Sequence, residues 1–137
     1  MDSNSPISHS FGNSLVRTLI CVSIFISAFV VTHLPPPDQP IKPLEHDKLL
    51  HMIGFFGLGA IVVWRLGSIR AMLPLPVALA WYAVLLTYGA FDELTQPITG
   101  RSCELFDFFA DGIGGAIGMG LMMLTYPWWR APAKVSG

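Results

Sequence analysis

The sequence predicts an all-α integral membrane protein, a bundle of four transmembrane helices, and three observations carry that reading. The 137-residue chain is 53% hydrophobic and 12% charged, about half the charged share of an ordinary soluble domain. Its apolar residues gather into four runs, each of the length that crosses a bilayer, about 17 to 25 residues for a hydrocarbon core roughly 30 Å thick. Prolines and charges separate the runs. A formal net charge of −1 leaves no basic face for nucleic acid. Soluble enzymes, nucleic-acid-binding modules and disordered linkers are thereby set aside.

The first run, residues 15–34, stops at Pro35, Pro36 and Pro37, because successive prolines cannot continue a helix. It follows a polar tail, residues 1–14, and reads as an uncleaved span: Arg17 is the only positive charge ahead of the apolar stretch, and no Ala-x-Ala site follows. The second run, residues 44–64, carries Glu45 and Asp47 in its first turn and closes at Arg65. Acids at that end suit the positive pole of the helix dipole. The third, residues 74–93, opens at Pro74 or Pro76 and ends in Asp92 and Glu93, shortly before Pro97. The fourth, residues 105–126, is followed by Pro127, Trp128, Trp129 and Arg130, aromatics of the kind found at a membrane interface. No internal repeat or low-complexity stretch interrupts the chain, so residues 1–137 read as a single membrane domain with short connections.

Orientation follows from lysine and arginine, since acids contribute little to the rule. The side holding both termini and the connection between spans two and three carries Arg17, Arg65, Arg70, Arg130 and Lys134, five of the eight basic residues. Lys42, Lys48 and Arg101 lie on the other side. Both termini are therefore expected in the cytoplasm, with residues 35–46 and 95–104 facing outside. Cys21 and Cys103 are expected unpaired, because about 20 Å of helix separates Cys21 from the outer face.

The residues that cost most in a membrane concentrate at that outer end. Span two opens with Asp47-Lys48-x-x-His51, span three closes with Asp92-Glu93-x-x-Gln96, and span four opens with Arg101, Glu104, Asp107 and Asp111. Spacings of three, four and seven put each set on one helix face, so the three stripes can converge. Asp111 lies about one turn, roughly 6 Å, below Asp107. Facing lipid near mid-bilayer it would cost on the order of 2.5–3.5 kcal/mol, so it should face the bundle interior. The basic partners available to it are Lys48, Arg101 and His51. A lone His51 reads as a hydrogen-bonded packing residue, while Asp47, one turn away, allows an Asp-His pair of the kind that tunes a general base. Six acids face two permanent cations, Lys48 and Arg101; neutralisation needs protons, a bound cation or water. Taken pair by pair, these groups read as ordinary helix caps and interfacial salt bridges. Taken together, they read as a functional cluster. Gly112, Gly114, Gly115 and Gly118 in span four, and Gly54, Gly57 and Gly59 in span two, read as helix-packing residues. His9, His33 and His46 show no partner spacing.

Asp47-Lys48-x-x-His51-x-x-x-Phe55-Phe56, then Asp92-Glu93-x-x-Gln96, then Gly100-Arg101-Ser102-x-Glu104-Leu105-x-Asp107 before a glycine-rich span together resemble the VanZ-like family of small bacterial membrane proteins. The resemblance covers about residues 44–124 and leaves the first span as an addition. Two positions depart from the family pattern: Glu104 stands where an Asp is usual, and Asp111 where an Asn is usual. The resemblance implies the cell envelope of a bacterium and a multi-pass protein of its cytoplasmic membrane. It also implies tolerance to the glycopeptide teicoplanin, with which the family's founding member is associated. It supplies no reaction.

The leading functional expectation is a binding protein. Asp47, Lys48, His51, Asp92, Glu93, Gln96, Arg101, Glu104, Asp107 and Asp111 would hold a polar or lipid-linked envelope ligand at the outer interface, with Lys48 and Arg101 meeting an anionic group. The alternative is a membrane-embedded enzyme acting on a phosphate-containing envelope lipid, with His51 or a carboxylate as general base, or Asp107 and Asp111 holding a divalent metal. The Asp-Gly-x-x-Ala-Arg element that accompanies such an acid pair in phospholipid-synthesising transferases is absent, as are a Ser-His-Asp order and a Cys-His zinc spacing. No cofactor and no metal site are therefore assigned. An ion pathway is disfavoured because the cytoplasmic halves of the spans are apolar, and a structural partner subunit remains as the fourth reading. The partners expected are the lipid bilayer and a lipid-linked cell-wall precursor or other anionic envelope ligand.

Overall fold

The computed structural model describes residues 6–34, 45–67 and 73–129, with side chains described for 14–34, 48–67 and 73–125. Four helices, α1 (Pro6–Thr32), α2 (Glu45–Gly67), α3 (Leu75–Thr95) and α4 (Leu105–Trp129), make up almost all of it, with one short 3-10 turn (Gln96–Thr99) after α3. Each helix contains a stretch long and apolar enough to cross a membrane. The protein is a four-span, all-α, multi-pass membrane protein.

Three ends differ from the sequence expectation, for a shared reason. α1 begins at Pro6, so most of the stretch read as a polar tail is helical; α2 runs past Arg65 to Gly67; and α4 continues through Pro127 to Trp129. Polarity marks where a helix leaves the apolar layer, whereas the helix itself stops only where its backbone is broken. The Pro35–Pro37 triplet, Lys42, Arg70, Arg130, Lys134 and the side chain of Asp47 lie outside the described residues.

The turn between α3 and α4 is built by its own sequence. The Gln96 N–H donates to the Asp92 carbonyl, and Pro97, with no N–H of its own, enters the 3-10 turn. Gly100 closes the turn at φ +82°, a left-handed conformation that favours glycine, with its N–H on the Gln96 and Pro97 carbonyls. α4 then starts on the Glu104 carbonyl, which accepts from the Asp107 N–H at 3.0 Å. The effect is to bring the head of α4 directly beside the tail of α3.

α2 and α4 form the central pair, and glycine sets their distance. A methyl at Gly114 would run into the Met52 carbonyl, one at Gly118 into the Phe56 carbonyl, and one at Gly59 into the Gly115 carbonyl. Gly115 and Gly112 instead make room for Leu85, Leu86 and Tyr82 of α3. Gly54 and Gly57, expected to pack, have nothing within 4 Å of a would-be Cβ, because α4 meets only one face of α2. The interior holds two apolar clusters, one of Phe55, Leu58, Val62 and Leu85, the other of Val63, Leu73, Ala78 and Met119. Large apolar side chains such as Leu94, Phe106, Ile113 and Leu124 point outward, the arrangement suited to lipid.

α1 lies against the outside of this core and is held along its length. Arg65 Nε donates to Thr18 Oγ1 at 2.7 Å, and Arg17 lies 4.7 Å from the Trp64 ring centroid at one end. In the middle Tyr88 Oη donates to the Phe25 carbonyl at 3.0 Å while the two rings meet edge to face. At the other end Thr32 and His33 reach α3. Cys21 and Cys103 are both free.

Candidate functional site

The head of α2, the tail of α3 and the head of α4 meet at one end of the bundle, and their polar side chains turn inward. His51, Asp92, Glu93, Gln96, Asp107 and Asp111 are each no more than 6% exposed, so six polar or ionisable groups have left both water and lipid. Such burial requires mutual satisfaction.

Two linked groups provide it. In the first, between α2, α3 and α4, the Nδ1 of His51 lies 2.9 Å from Asp111 Oδ1 and 3.7 Å from Glu93 Oε1. The other oxygen of Glu93, Oε2, accepts from the Glu104 backbone N–H at 3.0 Å, which ties the α3 tail to the start of α4. Lys48 Nζ donates to Glu104 Oε2 at 3.2 Å and stands 3.8 Å from Asp107 Oδ1, and Ser102 Oγ donates to Glu104 Oε1 at 3.2 Å. In the second group, between α1 and α3, Asp92 Oδ1 accepts from Thr32 Oγ1 at 2.7 Å and Oδ2 from Gln96 Nε2 at 3.1 Å. His33 stands 3.6 Å from Asp92 Oδ1 and places Nε2 2.9 Å from Thr95 Oγ1.

A cavity of about 240 Å³ joins the two groups. Its polar end is formed by Thr32, His51, Tyr88, Asp92 and Arg101, and its other wall by apolar residues including Ala28, Val31, Leu50, Phe55 and Leu58. Leu58 lies about 10 Å deeper along α2 than His51, so the cavity grades from charged to greasy with depth.

The chain that builds these converging stripes also matches a known family in sequence. Residues 7–126 match the sequence profile of VanZ/LLP1. The chain belongs to the VanZ/LLP1 family. No curated protein and no solved structure matches it. The match takes in α1 of this VanZ/LLP1 protein, which the sequence reading had set outside the resemblance, and the bonds from Thr32 and His33 to α3 make α1 a working part of the same end of the bundle.

Against the sequence-derived cluster, this VanZ/LLP1 chain brings together Lys48, His51, Glu93, Glu104, Asp107 and Asp111, while Asp92 and Gln96 pair four residues apart and turn to α1. Arg101 lines the cavity. The described partner of His51 is Asp111, on another helix, one of the pairings open to that acid in the sequence; the side chain of Asp47, the acid one turn from His51 on its own helix, lies outside the described residues. Sequence reasoning missed Thr32, His33, Tyr88, Thr95 and Gly89. Depth alone was a signal for the first two, which fall at the same level of the bundle as Asp92. Gly89 carried none: a Cβ there would sit 3.2 Å from Asp111 Oδ2 and 3.1 Å from the Phe55 ring, so its value lies in the space it leaves for Asp111.

Two features define what this end of the protein can do chemically. It presents two cations, Lys48, braced by Glu104 and Asp107, and Arg101 on the cavity wall, which suits an anionic group. And one ligand atom from each of His51, Glu93 and Asp111 lies within 4.8 Å of the other two, the donor set of a cation site.

Proposed function

We propose that this protein works at the outer face of the bacterial cytoplasmic membrane, with both termini in the cytoplasm. There it binds a polar or lipid-linked envelope ligand, and binding contributes to tolerance of glycopeptides of the teicoplanin type. One observation carries the reading, the graded cavity between α1, α2 and α3. An amphiphile fits it in one sense only, with its anionic headgroup at Arg101, at the end of the bundle that also carries Lys48, and its hydrocarbon along Ala28, Val31 and Leu58. The acids around Lys48 hold its ammonium in place rather than leaving a flexible side chain to be ordered by the ligand. The outward orientation is supported by the lysine and arginine count, five of eight on the side of the termini.

The test is antibiotic susceptibility, teicoplanin included, of a bacterial host expressing the wild type and, at matched membrane levels, His51→Ala, Asp92→Asn, Arg101→Lys and Asp107→Asn. The wild type should raise the inhibitory concentration and the variants should not. Arg101→Lys is the sharpest of them, because it keeps the charge and removes the planar fork. A wild type without effect, or variants as protective as the wild type, would overturn the reading.

A further inference from the structure

We propose that His51, Glu93 and Asp111 form a binding site for a divalent transition-metal ion of the zinc or manganese type, enclosed between α2, α3 and α4. An imidazole nitrogen with two carboxylates is a donor set such ions accept, with positions left over for water or a ligand oxygen.

The distances suit it. Bonds of about 2.0–2.2 Å in a tetrahedral shell put neighbouring ligand atoms roughly 3.3–3.6 Å apart. The edges from His51 Nδ1 are 2.9 Å to Asp111 Oδ1 and 3.7 Å to Glu93 Oε1, on either side of that value, so shifts of a few tenths of an ångström suffice.

A second, independent observation points into the same space. Glu93 Oε1 and Asp111 Oδ2 are buried and accept no hydrogen bond from any described residue, although their side chains are only 4% and 1% exposed. Buried carboxylate oxygens are among the costliest groups to leave unsatisfied. Both belong to the residues that converge on His51; a cation there is met directly by Glu93 Oε1, and by Asp111 Oδ2 where Asp111 binds through both of its oxygens. The surroundings also act as an outer shell that aims the ligands. The Glu104 N–H holds Glu93 by Oε2 and leaves Oε1 turned towards His51, and the absence of a side chain at Gly89 keeps room beside Asp111 Oδ2.

Binding requires a basic nitrogen. A carboxylate accepts, so in the metal-free protein the His51 Nδ1 carries the proton bonded to Asp111 Oδ1; the ion takes the place of that proton, which passes to Nε2 of a neutral ring or leaves to solvent from an imidazolium. Protons on the ring or on the two carboxyl groups compete with the ion, so affinity rises with pH.

The proposal is tested on untagged, full-length protein in nanodiscs, chelator-stripped, with Cys21→Ser and Cys103→Ser to remove thiol binding. Mn²⁺ is titrated by electron paramagnetic resonance and Zn²⁺ by calorimetry in two buffers of different ionisation enthalpy. One ion per chain is expected, with any displaced protons read from the difference between the buffers, and with Glu93→Gln and Asp111→Asn each weakening the Kd by at least about 10- to 100-fold. Should either variant fold poorly, Co²⁺ added to the otherwise wild-type protein gives a visible ligand-field spectrum of bound nitrogen and oxygen donors. No saturable binding, variants that bind as well as wild type, or a Co²⁺ spectrum no different from the aqueous ion would each overturn the assignment, and would identify the occupant of the acid pair as a proton. These readouts need no antibiotic phenotype, so this site and the envelope function fail or stand separately.

Discussion

Replacing Gly114 with alanine tests whether glycine spacing between α2 and α4 creates the polar site. The added methyl would overlap the Met52 carbonyl, with its carbon at 2.9 Å and the Met52 Cα at 3.0 Å. Carbon atoms settle at about 3.5–4.0 Å. The obstacle is backbone rather than a flexible side chain, so the two helices must part by at least roughly 0.5 Å. His51 adjoins Met52 on α2, and Asp111 lies one turn before Gly114 on α4. The same separation therefore takes the 2.9 Å His51–Asp111 contact to about 3.4 Å, beyond an ordinary hydrogen bond. Overpacking costs about 1–3 kcal/mol and the weakened buried bond up to about another 1 kcal/mol, giving roughly 1–4 kcal/mol in all. The assay is equilibrium unfolding in mixed detergent micelles, followed by circular dichroism. Gly57→Ala is the control, since nothing lies within 4 Å of a methyl there and alanine is the better helix former; it should be neutral or stabilising. Equal stability of Gly114→Ala and wild type, or equal losses in both variants, would refute the argument.

Gly54→Leu should separate ligand binding from folding. Nothing lies within 4 Å of its Cβ and it borders the cavity, so the side chain fills space without displacing helices; the expected result is an unchanged unfolding midpoint with loss of the susceptibility effect. Thr32→Val keeps the shape of the side chain but removes the 2.7 Å donor to Asp92 Oδ1. A loss of about 1–3 kcal/mol in the same unfolding assay is expected, and no loss would mean that the Thr32–Asp92 bond does not help to hold α1.

The sequence analysis identified the membrane class, the four spans and the three polar stripes because each depends on local information. A run of apolar residues, a proline or a pair of charged residues four apart constrains one helix at a time. The Asp92–Gln96 pair illustrates this, since both residues lie on one face and bond as their spacing requires. The His51–Asp111 pair was legible only as one of several open pairings. Asp111 stands 60 residues away, and what brings it close is backbone contact at Gly114 and Gly118, a property of two helices packed together. Sequence could name those glycines as small; it could not say which carbonyls they would meet.

The same distinction explains the set formed by His51, Glu93 and Asp111. Metal-ligand motifs are recognised in sequence when two or more ligands share a loop or a helix turn; here every ligand comes from a different helix, so there is no spacing to find. Burial is what sets the three apart afterwards. Glu104 and Lys48 are partly exposed, with side chains 29% and 34% accessible, and can trade their bond for water. Glu93 and Asp111 have no such exchange; each keeps one buried oxygen without a hydrogen bond among the described residues, and both residues converge on a single imidazole. Whatever occupies that space must neutralise two acids from inside the bundle. The helix contacts at Gly114 and Gly118 then act on function through distance, by setting how closely His51 on α2 approaches Asp111 on α4, and therefore whether a proton or an ion is the better fit.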